Sequence, residues 1–555
     1  MHIGTFKAHE TILLCRNCGK IYRPKEIDQI VPRSANFAYD IMIYVGKELF
    51  LNHVADQTII EKLNSKNINI SASEIAYLGK KFIVYLTLAH KRSAPKIKNT
   101  MNQKGGYILH LDSTYEDKSP LLMIGMDSIM QIVLGNIKLP SEKSDDIIPF
   151  LENINELFGT PIAVVHDMSK GIIKAVNKVF PSSHDFICHF HFLRDIGKDV
   201  LGPEYDNIRK ILKEHRITYK LNKRLRSFKQ SIDQSKGLIN IMIDYDSIDD
   251  FPKELNKNIP IFAAYSLVHW ALEGKKQGNG YGFPFDRPYL ELTERLKIIF
   301  SELQQLLKIN VYNDSKVNEP IYKTLNDLET VIDNKKLWQE VNKLKLEIEI
   351  FEDLREAMRI SPKSSKKGLN HDGGNYSIYT IKDGVTQFKK QIIGMKEFSK
   401  NKKYQKMLDQ IDKYHEKLFA DPIEVETIEG VKQIQPQRTN NILEREIRDL
   451  KRGYRQKSGS NALGKKLRAM LTNTPLVKNL KNDEYMDILL DGKLTLEELF
   501  AEIDINAVRA EYKIAQYNPE KMPAKLIKLI SEATYPERLK KIIKRIFEKE
   551  DSNSK

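Results

Sequence analysis

Short runs of apolar residues, separated by polar or glycine-containing breaks, recur through the second hundred residues of the chain. Runs of this length with such boundaries predict buried β-strands. We expect five of them, at residues 107–114, 121–127, 131–137, 161–167 and 184–188. The first carries Asp112 and the fourth ends in Asp167. The breaks between the first three strands are short, which predicts an antiparallel meander.

Apolar positions at helical spacing predict two helices among these strands, at residues 145–158 and 170–179. Three antiparallel strands, a helix, a strand, a helix and a strand is the order of a ribonuclease-H-like fold. In that fold the first and fourth strands lie side by side, so we expect Asp112 and Asp167 to meet. The predicted fold class is therefore α/β, and residues 101–205 are the first part of a ribonuclease-H-like core.

A third carboxylate lies far downstream in the sequence. Asn440 and Asn441 precede a predicted helix that carries Glu444 on its first turns. Two strand aspartates and one helix glutamate supply the oxygen ligands that Mg²⁺ or Mn²⁺ prefers. The three residues predict a site for two such ions, of the kind used in phosphoryl transfer. Residues 435–482 are then the second part of the core.

The segment between the two parts, residues 206–434, is mostly helical and charged, and no carboxylate-bearing strand is predicted in it. We interpret it as an all-α insertion whose two ends lie close together. An independent helical domain with its own function is the alternative. The predicted helices include residues 209–226, 290–307 and 335–359.

Residues 1–100 form a predicted N-terminal DNA-binding region, which begins with a Cys-x-x-Cys pair. Cys15 and Cys18 have the spacing of a turn that presents two thiolates to Zn²⁺. A tetrahedral site needs two more ligands, which His2 and His9 would supply in an unusual order. The alternative is two plain thiols near a turn, because no second Cys-x-x-Cys occurs.

A helix–turn–helix is predicted next in this region. Residues 56–64 form an amphipathic helix, and Ser71 and Glu74 make a capping box at the start of a second helix. The second helix is a candidate for reading a DNA major groove, with an ordinary helical hairpin as the alternative. Residues 91–104 are basic and contain Pro95, which predicts a linker to the sheet.

The charge of the chain favours a polyanionic partner. Its formal net charge is +15 and its pI is about 9.2, although part of this charge can reflect the high overall frequency of lysine. Residues 431–470 hold eleven Lys and Arg against three Asp and Glu, which predicts a basic face suited to DNA phosphates. The candidate DNA-binding residues there are Arg445, Arg448, Lys451, Arg452, Arg455 and Lys457.

Composition also limits the compartment. Three cysteines exclude a disulfide scaffold, and we find neither a signal-peptide pattern nor an apolar run of membrane-spanning length. We therefore expect a soluble, cytoplasmic and nucleoid-associated protein with no membrane partner. Residues 483–555 are predicted to form a C-terminal helical tail.

The motifs resemble those of DDE-type insertion-sequence transposases. The first aspartate stands in LHLDST, the second in VVHDMSKGI and the glutamate in TNNILEREIRDLKR. The resemblance is closest to groups whose catalytic domain is split by a helical insertion, such as the Mutator-like and hAT-like enzymes. The NNxxER form is similar to that of bacterial transposases, and it selects Glu444 over the neighbouring Glu446. The resemblance covers residues 100–205 and 435–480.

The resemblance implies a metal-dependent transposase that cleaves the ends of its element and transfers them to target DNA. The three carboxylates would be catalytic and would hold both ions, and the enzyme would work as a homo-oligomer. A C-x-x-H signature implies that Cys188 and His191 support the active site. Trp270 would stack on a DNA base, with a core tryptophan as the alternative. The rival functions are a nuclease on the same fold and a domesticated transposase that only binds DNA.

Overall fold

A computed structural model describes most of the chain. The described residues are 6–7, 9–22, 26–117, 119–233, 259–276, 278, 280–309, 315–360, 377–396, 398–459, 463–516 and 524–553. The strands among them are β1 (Leu13–Leu14), β2 (Ile21–Tyr22), β3 (Ile108–Thr114), β4 (Leu121–Asp127), β5 (Ile132–Leu139), β6 (Ala163–His166), β7 (His184–Ile187), β8 (Ile423–Thr427) and β9 (Gly430–Ile434).

The α-helices of the described residues fall into three groups along the chain. Before and within the strands of the main sheet they are α1 (Tyr39–Phe50), α2 (Asp56–Asn64), α3 (Ala72–Gln103), α4 (Ser144–Phe158) and α5 (Lys170–Val179). After β7 they are α6 (His189–Glu214), α7 (Ile217–Asp233), α8 (Ile259–Glu273), α9 (Pro288–Ile309), α10 (Ser315–Ile332), α11 (Lys335–Ala357), α12 (Ile378–Gly394), α13 (Lys402–Lys413) and α14 (His415–Leu418). The last are α15 (Asn441–Ser458), α16 (Leu463–Ala469), α17 (Asp483–Leu490), α18 (Leu496–Ala501), α19 (Ile505–Gln516), α20 (Ala524–Ile530) and α21 (Tyr535–Asn553).

The protein is a mixed α/β structure built on a five-stranded sheet with strand order β5-β4-β3-β6-β7. Strands β3, β4 and β5 form the predicted antiparallel meander, and β6 and β7 add to it in parallel. The predicted pairing of the first and fourth strands is confirmed, because β6 pairs with β3 and His110 lies opposite Val165. That register, continued by two residues, directs Asp112 and Asp167 to the same edge of the sheet.

Helix α3 corrects the predicted linker. The helix begins at the predicted capping box, where Ser71 and Glu74 bond to each other's backbone, and then runs for 32 residues through Pro95. The prediction of a linker at residues 91–104 was wrong because the buried stripe of the helix continues there, through Ala94, Ile97 and Met101. Burial of that stripe against the rest of the core outweighs the local effect of one proline.

One hydrophobic core joins both ends of the chain to the sheet. Buried residues of α1–α3, of β3–β5 and of helices α15 to α19 belong to the same cluster, which includes Phe82, Leu111, Leu443 and Phe500. Residues 474–481 of the C-terminal part form a 3₁₀-helix that lies against the sheet. Its Asn479 side chain accepts the N–H of Val133 at 2.7 Å and donates to the carbonyl of Val133 at 2.8 Å. The first half of the predicted C-terminal tail is therefore a packed part of the core.

Helices α6 to α14 surround a second hydrophobic core. The predicted helix at residues 209–226 is interrupted, because α6 ends at Glu214 and Arg216 has a φ of 50° before α7 begins. The prediction of an all-α segment up to residue 434 was also wrong. Residues 423–434 form the hairpin β8–β9, in which alternation of apolar and polar residues and a turn at Gly430 favour strands.

The start of α6 lies close to the residues at and just after the end of the helical segment, whereas the predicted insertion begins at residue 206, in the middle of α6. The backbone N–H of His189, at the start of α6, donates to the carbonyl of Arg438 at 2.8 Å. The ring nitrogen Nε2 of the same histidine contacts the carbonyl of Leu418, at the end of α14.

None of the helices in the described ranges is long and apolar enough to cross a membrane.

Replacement of Asn479 tests whether the C-terminal part stabilises the sheet. Asn479→Ala leaves the buried N–H and carbonyl of Val133 without their partners, so the free energy of unfolding should fall by about 2–4 kcal/mol. Chemical denaturation of the full chain measures this loss. The matched control is Asn473→Ala, which should change the unfolding free energy by less than about 0.5 kcal/mol. Equal effects of the two variants would contradict this role of Asn479.

Candidate active site

Asp112 occupies the inner part of β3, opposite Ile124 of β4. The side chain is buried, and its Oδ1 accepts the backbone N–H of Ser113 at 2.8 Å. Burial disfavours the charged carboxylate and raises the pKa of Asp112 to about 7. The negative charges of Asp167 and Glu444 raise this pKa further, so the three predicted residues share one electrostatic environment.

Asp167 directly follows β6, which is the parallel neighbour of β3. Its Oδ1 accepts the backbone N–H of Ser169 at 2.9 Å, which fixes the carboxylate at the turn into α5. Burial raises the pKa of Asp167, and the charge of Glu142 adds to the effect. The carboxyl ends of neighbouring parallel strands are a common position for ligand sites. Both aspartates lie at such an edge.

A buried polar network supports the Asp167 turn. The imidazole of His166 lies 2.5 Å from the carbonyl oxygen of Asp167 and 2.7 Å from the carboxylate of Asp185. Both of these groups are hydrogen-bond acceptors, so the imidazole lies between two oxygens. Lys417 forms an ion pair with the other oxygen of Asp185. The network therefore links the Asp167 turn through β7 to the end of the helical segment.

Glu444 lies on the first turn of α15, and Asn440 positions that turn. The Asn440 side chain accepts from Nδ1 of His110 at 3.0 Å and donates to the carbonyl of Leu111 at 2.9 Å. Its backbone N–H donates to the sulfur of Cys188 at 3.3 Å. Burial raises the pKa of Glu444, as expected for a carboxylate that faces the interior. These bonds attach the glutamate helix to the strand that carries Asp112.

Arg194 is a cation of the site that the sequence analysis missed. It lies in the second turn of α6, and its positive charge lowers the pKa values of Asp112, Asp167 and Glu444. Its Nε is buried and has no hydrogen-bond partner. One arginine therefore compensates part of the charge of three carboxylates.

Glu142 and Asn440 were also missed as members of the site. Glu142 accepts a hydrogen bond from the hydroxyl of Ser113, next to Asp112, and its charge acts on Asp167. Glu142 comes from the loop after β5, so only the folded sheet places it there. Arg194 follows His191 by one helical turn. This spacing after the C-x-x-H signature is the sequence pattern that could have indicated Arg194 as a member of the site.

The carboxylate oxygens match the donors that Mg²⁺ and Mn²⁺ prefer, and Arg194 alone leaves the site with excess negative charge. Across the described residues, no three His, Cys, Asp or Glu side chains are close enough together to hold a metal ion as they stand. The chemical type of the donors therefore fits Mg²⁺ or Mn²⁺. That the three carboxylates share two ions about 3.5–4 Å apart stays a prediction.

The C-x-x-H pair lies beside this cluster. Cys188 is fully buried at the start of α6, and burial raises the pKa of its thiol to about 12. Its sulfur accepts backbone N–H groups of Asn440 and His191. The imidazole of His191 is buried, and its pKa is lowered to about 3 by burial and by the charge of Arg194. Cys188 thus contacts the residue that precedes the glutamate helix, whereas His191 bonds to Cys188 through its backbone and lies near Arg194.

Two rival carboxylates have structural roles. Asp127 is buried at the end of β4 and accepts backbone N–H groups of Ile108, Ile129 and Met130. Glu446 lies on another side of α15, where its carboxylate is 3.0 Å from the ammonium of Lys478. Neither residue is therefore free to replace the members of the cluster.

Most of the predicted basic face is exposed on α15. The exposed members are Arg445, Arg448, Lys451, Arg452 and Arg455. Lys457 instead forms an ion pair with Asp56 at 2.7 Å. Trp270 lies on α8 and is 38% exposed, with the guanidinium of Arg295 4.5 Å from its ring centre. Trp270 is thus not a core residue. Arg295 covers one face of its indole ring, so that face is not open for stacking on a base.

The thiols of Cys15 and Cys18 lie on the hairpin β1–β2 near the N-terminus, and both are unbridged. His9 is exposed, and His2 lies outside the described residues.

Comparison with protein-family models and with curated protein sequences found no match to the chain. Its function is therefore inferred from the geometry and charge of the carboxylate cluster.

A substitution at Asn440 tests the connection between the glutamate helix and β3. Asn440→Ala leaves Nδ1 of His110 and the carbonyl of Leu111 unpaired in the interior, so the free energy of unfolding should fall by about 2–4 kcal/mol. The adjacent Asn441→Ala is the matched control and should change it by less than about 0.5 kcal/mol. Urea denaturation measures both. If the two neighbouring asparagines contribute equally, the connection is wrong.

Proposed function

We propose that the chain is a DNA transposase whose catalytic domain has a ribonuclease-H-like fold. The observation that supports this most is the cluster formed by Asp112, Asp167 and Glu444, in which the charges of Asp167 and Glu444 both act on the buried Asp112. The strand order agrees with this fold. The cluster lies next to a helix whose outer face is basic, so DNA phosphates and the carboxylates would meet at one surface.

The three carboxylates are proposed to hold two Mg²⁺ or Mn²⁺ ions. When bound, such ions supply a deprotonated water and stabilise the charge on the phosphodiester that it attacks. The carboxylates' raised pKa values mean that burial and mutual repulsion disfavour their charged forms, and a cation relieves both effects. The chain itself then needs to bind and orient DNA, and to keep the carboxylates in place.

Arg194 is proposed to keep the carboxylates together while the site holds no metal. Its charge acts on all three, and its buried Nε is unpaired. A guanidinium in this position is also suited to contact a DNA phosphate once other cations neutralise the carboxylates. The exposed cations of α15 would bind flanking phosphates, which fixes the position of the DNA strand without reading its sequence.

The helical segment is proposed to be an insertion into the catalytic domain. The chain leaves the sheet at His189 and returns to the same place at Arg438, and the five-stranded sheet takes no strand from the residues between. The N-terminal helices are proposed to read the ends of the element. The first turns of α3 expose side chains, including Ser73 and Tyr77, and this surface would enter the major groove.

The proposed partners are the terminal repeats of the element and target DNA. An enzyme that joins two ends to a target works as a homo-oligomer, and access to chromosomal DNA places it in the cytoplasm, at the nucleoid. A nuclease on the same fold would use the same carboxylates. Transfer of a cleaved end into target DNA distinguishes the two functions, because a nuclease only cuts.

A conservative substitution at Asp112 separates chemistry from binding. Asp112→Asn removes one charge from the metal site and leaves the basic face of α15 unchanged. We expect loss of strand cleavage by at least about 10²-fold in Mg²⁺ or Mn²⁺, with binding of end DNA retained. The exposed Asp421→Asn is the control and should cleave like the wild-type chain. Full cleavage by Asp112→Asn, measured on labelled end DNA, would exclude the proposed mechanism.

The basic face is tested by charge reversal. Arg448→Glu or Lys451→Glu should weaken binding to DNA of any sequence and should reduce the slope of log K against log salt by roughly one unit per lost phosphate contact. Gel shifts across a salt series measure that slope. Lys540→Glu makes the same charge change on α21 and should leave the slope unchanged. Similar slopes for all three variants would show that α15 does not contact DNA.

A further inference from the structure

The N-terminal hairpin has the backbone geometry of a metal-binding knuckle. Strands β1 and β2 pair with Leu14 opposite Ile21, and the turn between them contains Cys15 and Cys18. The N–H of Gly19, with a φ of 67°, donates to the carbonyl of Cys15 at 2.9 Å, and the N–H of Cys15 donates to the carbonyl of Lys20 at 2.8 Å. The turn is therefore closed before any ligand binds.

The two sulfurs of this knuckle face each other. The backbone N–H groups of Cys18 and Asn17 donate to the sulfur of Cys15, and the thiol of Cys18 is also hydrogen-bonded to it. Such N–H···S bonds are the contacts that stabilise a thiolate. Cys18 is exposed and Cys15 is half-buried, so both sulfurs are accessible to a metal ion.

The described residues of one chain supply half of a structural zinc site. Structural zinc takes four ligands in a tetrahedron, and Cys15 and Cys18 supply two of them. Over the described ranges, no third His, Cys, Asp or Glu joins this pair, including the exposed His9. A second knuckle with the same geometry would complete the tetrahedron.

The hairpin also exposes an apolar surface that is large for its size. Five aliphatic and aromatic side chains are between 47% and 64% exposed: Ile12, Leu13, Leu14, Ile21 and Tyr22. A two-stranded sheet this short is not stable without a partner or a metal. Leu14 and Ile21 lie opposite each other on one face, and Leu13 and Tyr22 lie on the other. An exposed apolar face next to an incomplete metal site indicates a protein interface rather than a phosphate-binding surface.

We propose that two copies of the chain share one zinc ion, with Cys15 and Cys18 of each copy as its four ligands. The two apolar hairpins pack against each other around a twofold axis, because identical patches are complementary in such an interface. Each of the four thiols releases its proton to solvent when it binds. The resulting Zn(Cys)₄ centre carries a net charge of −2, which the exposed Arg16 and Lys20 of both copies offset.

The zinc content per chain decides this proposal. The full chain, purified with zinc and freed of excess metal, should contain one ion for every two chains by elemental analysis. Its molar mass by light scattering should be at least twice the 64.3 kDa of one chain. Chelation should remove the ion and halve that mass, and zinc should restore it. One ion per chain, no bound zinc, or a mass that chelation leaves unchanged would each overturn the shared site.

Variants separate the ligands from their surroundings without any measurement of DNA cleavage. Cys15→Ser with Cys18→Ser should abolish zinc binding and reduce association to that of the chelated chain. His9→Ala is the control, and loss of zinc in this variant would overturn the proposal in favour of a site within one chain. Leu14→Glu keeps all four thiols but places charge in the hairpin interface, so it should weaken zinc-dependent association at least about tenfold. Unchanged association of Leu14→Glu would exclude packing between the hairpins.

Discussion

The hydrogen bonds of one buried side chain, that of Asn440, hold the candidate site together. Its amide bonds to His110 and to the carbonyl of Leu111, and its backbone bonds to Cys188. These partners come from a strand of the sheet and from the start of the helical segment, more than 250 residues before Asn440 in the chain. In the folded chain Asn440 therefore ties the start of the glutamate helix to both the sheet and α6.

Charge is the second constraint on the site. The negative charges of Asp167 and Glu444 both act on the buried Asp112, and Arg194 offsets only part of that effect. The cluster therefore keeps an excess of negative charge. Among the described residues, its carboxylates do not lie close enough together to hold a metal ion. Under the proposed function, a bound cation or a DNA phosphate would change this balance of charge. The polar network at His166 restrains the backbone at Asp167 while that balance changes.

The sequence predicted the sheet well because its signals are local. Short apolar runs gave all five strands, and the parallel pairing of β3 with β6 then placed Asp112 and Asp167 at one edge. The spacing after Asn441 favoured Glu444 over Glu446, and the ion pair of Glu446 with Lys478 agrees. Where the prediction was wrong, tertiary packing was the reason. Pro95 predicted a linker, but α3 continues through it because the residues around it are buried in the core.

Long-range contacts explain what the sequence could not give. Asn479 bonds to a residue of β5 that lies 346 positions earlier, so no local pattern separates this part of the core from a solvated tail. Arg194 and Glu142 look like ordinary surface charges in the sequence. Only the folded chain brings them to Asp112 and Asp167, where their charges change the pKa values of the carboxylates.

Iron-directed cleavage of the polypeptide tests the central claim most directly. Fe²⁺ replaces Mg²⁺ at carboxylate sites and, with ascorbate and peroxide, cuts the backbone next to its ligands. The account predicts cuts near Asp112, near Asp167 and near Glu444 in the same molecule. Excess Mg²⁺ should suppress all three cuts, and so should Asp112→Asn. Cuts missing from any one of the three segments, or cuts that Mg²⁺ does not suppress, would contradict a shared metal site.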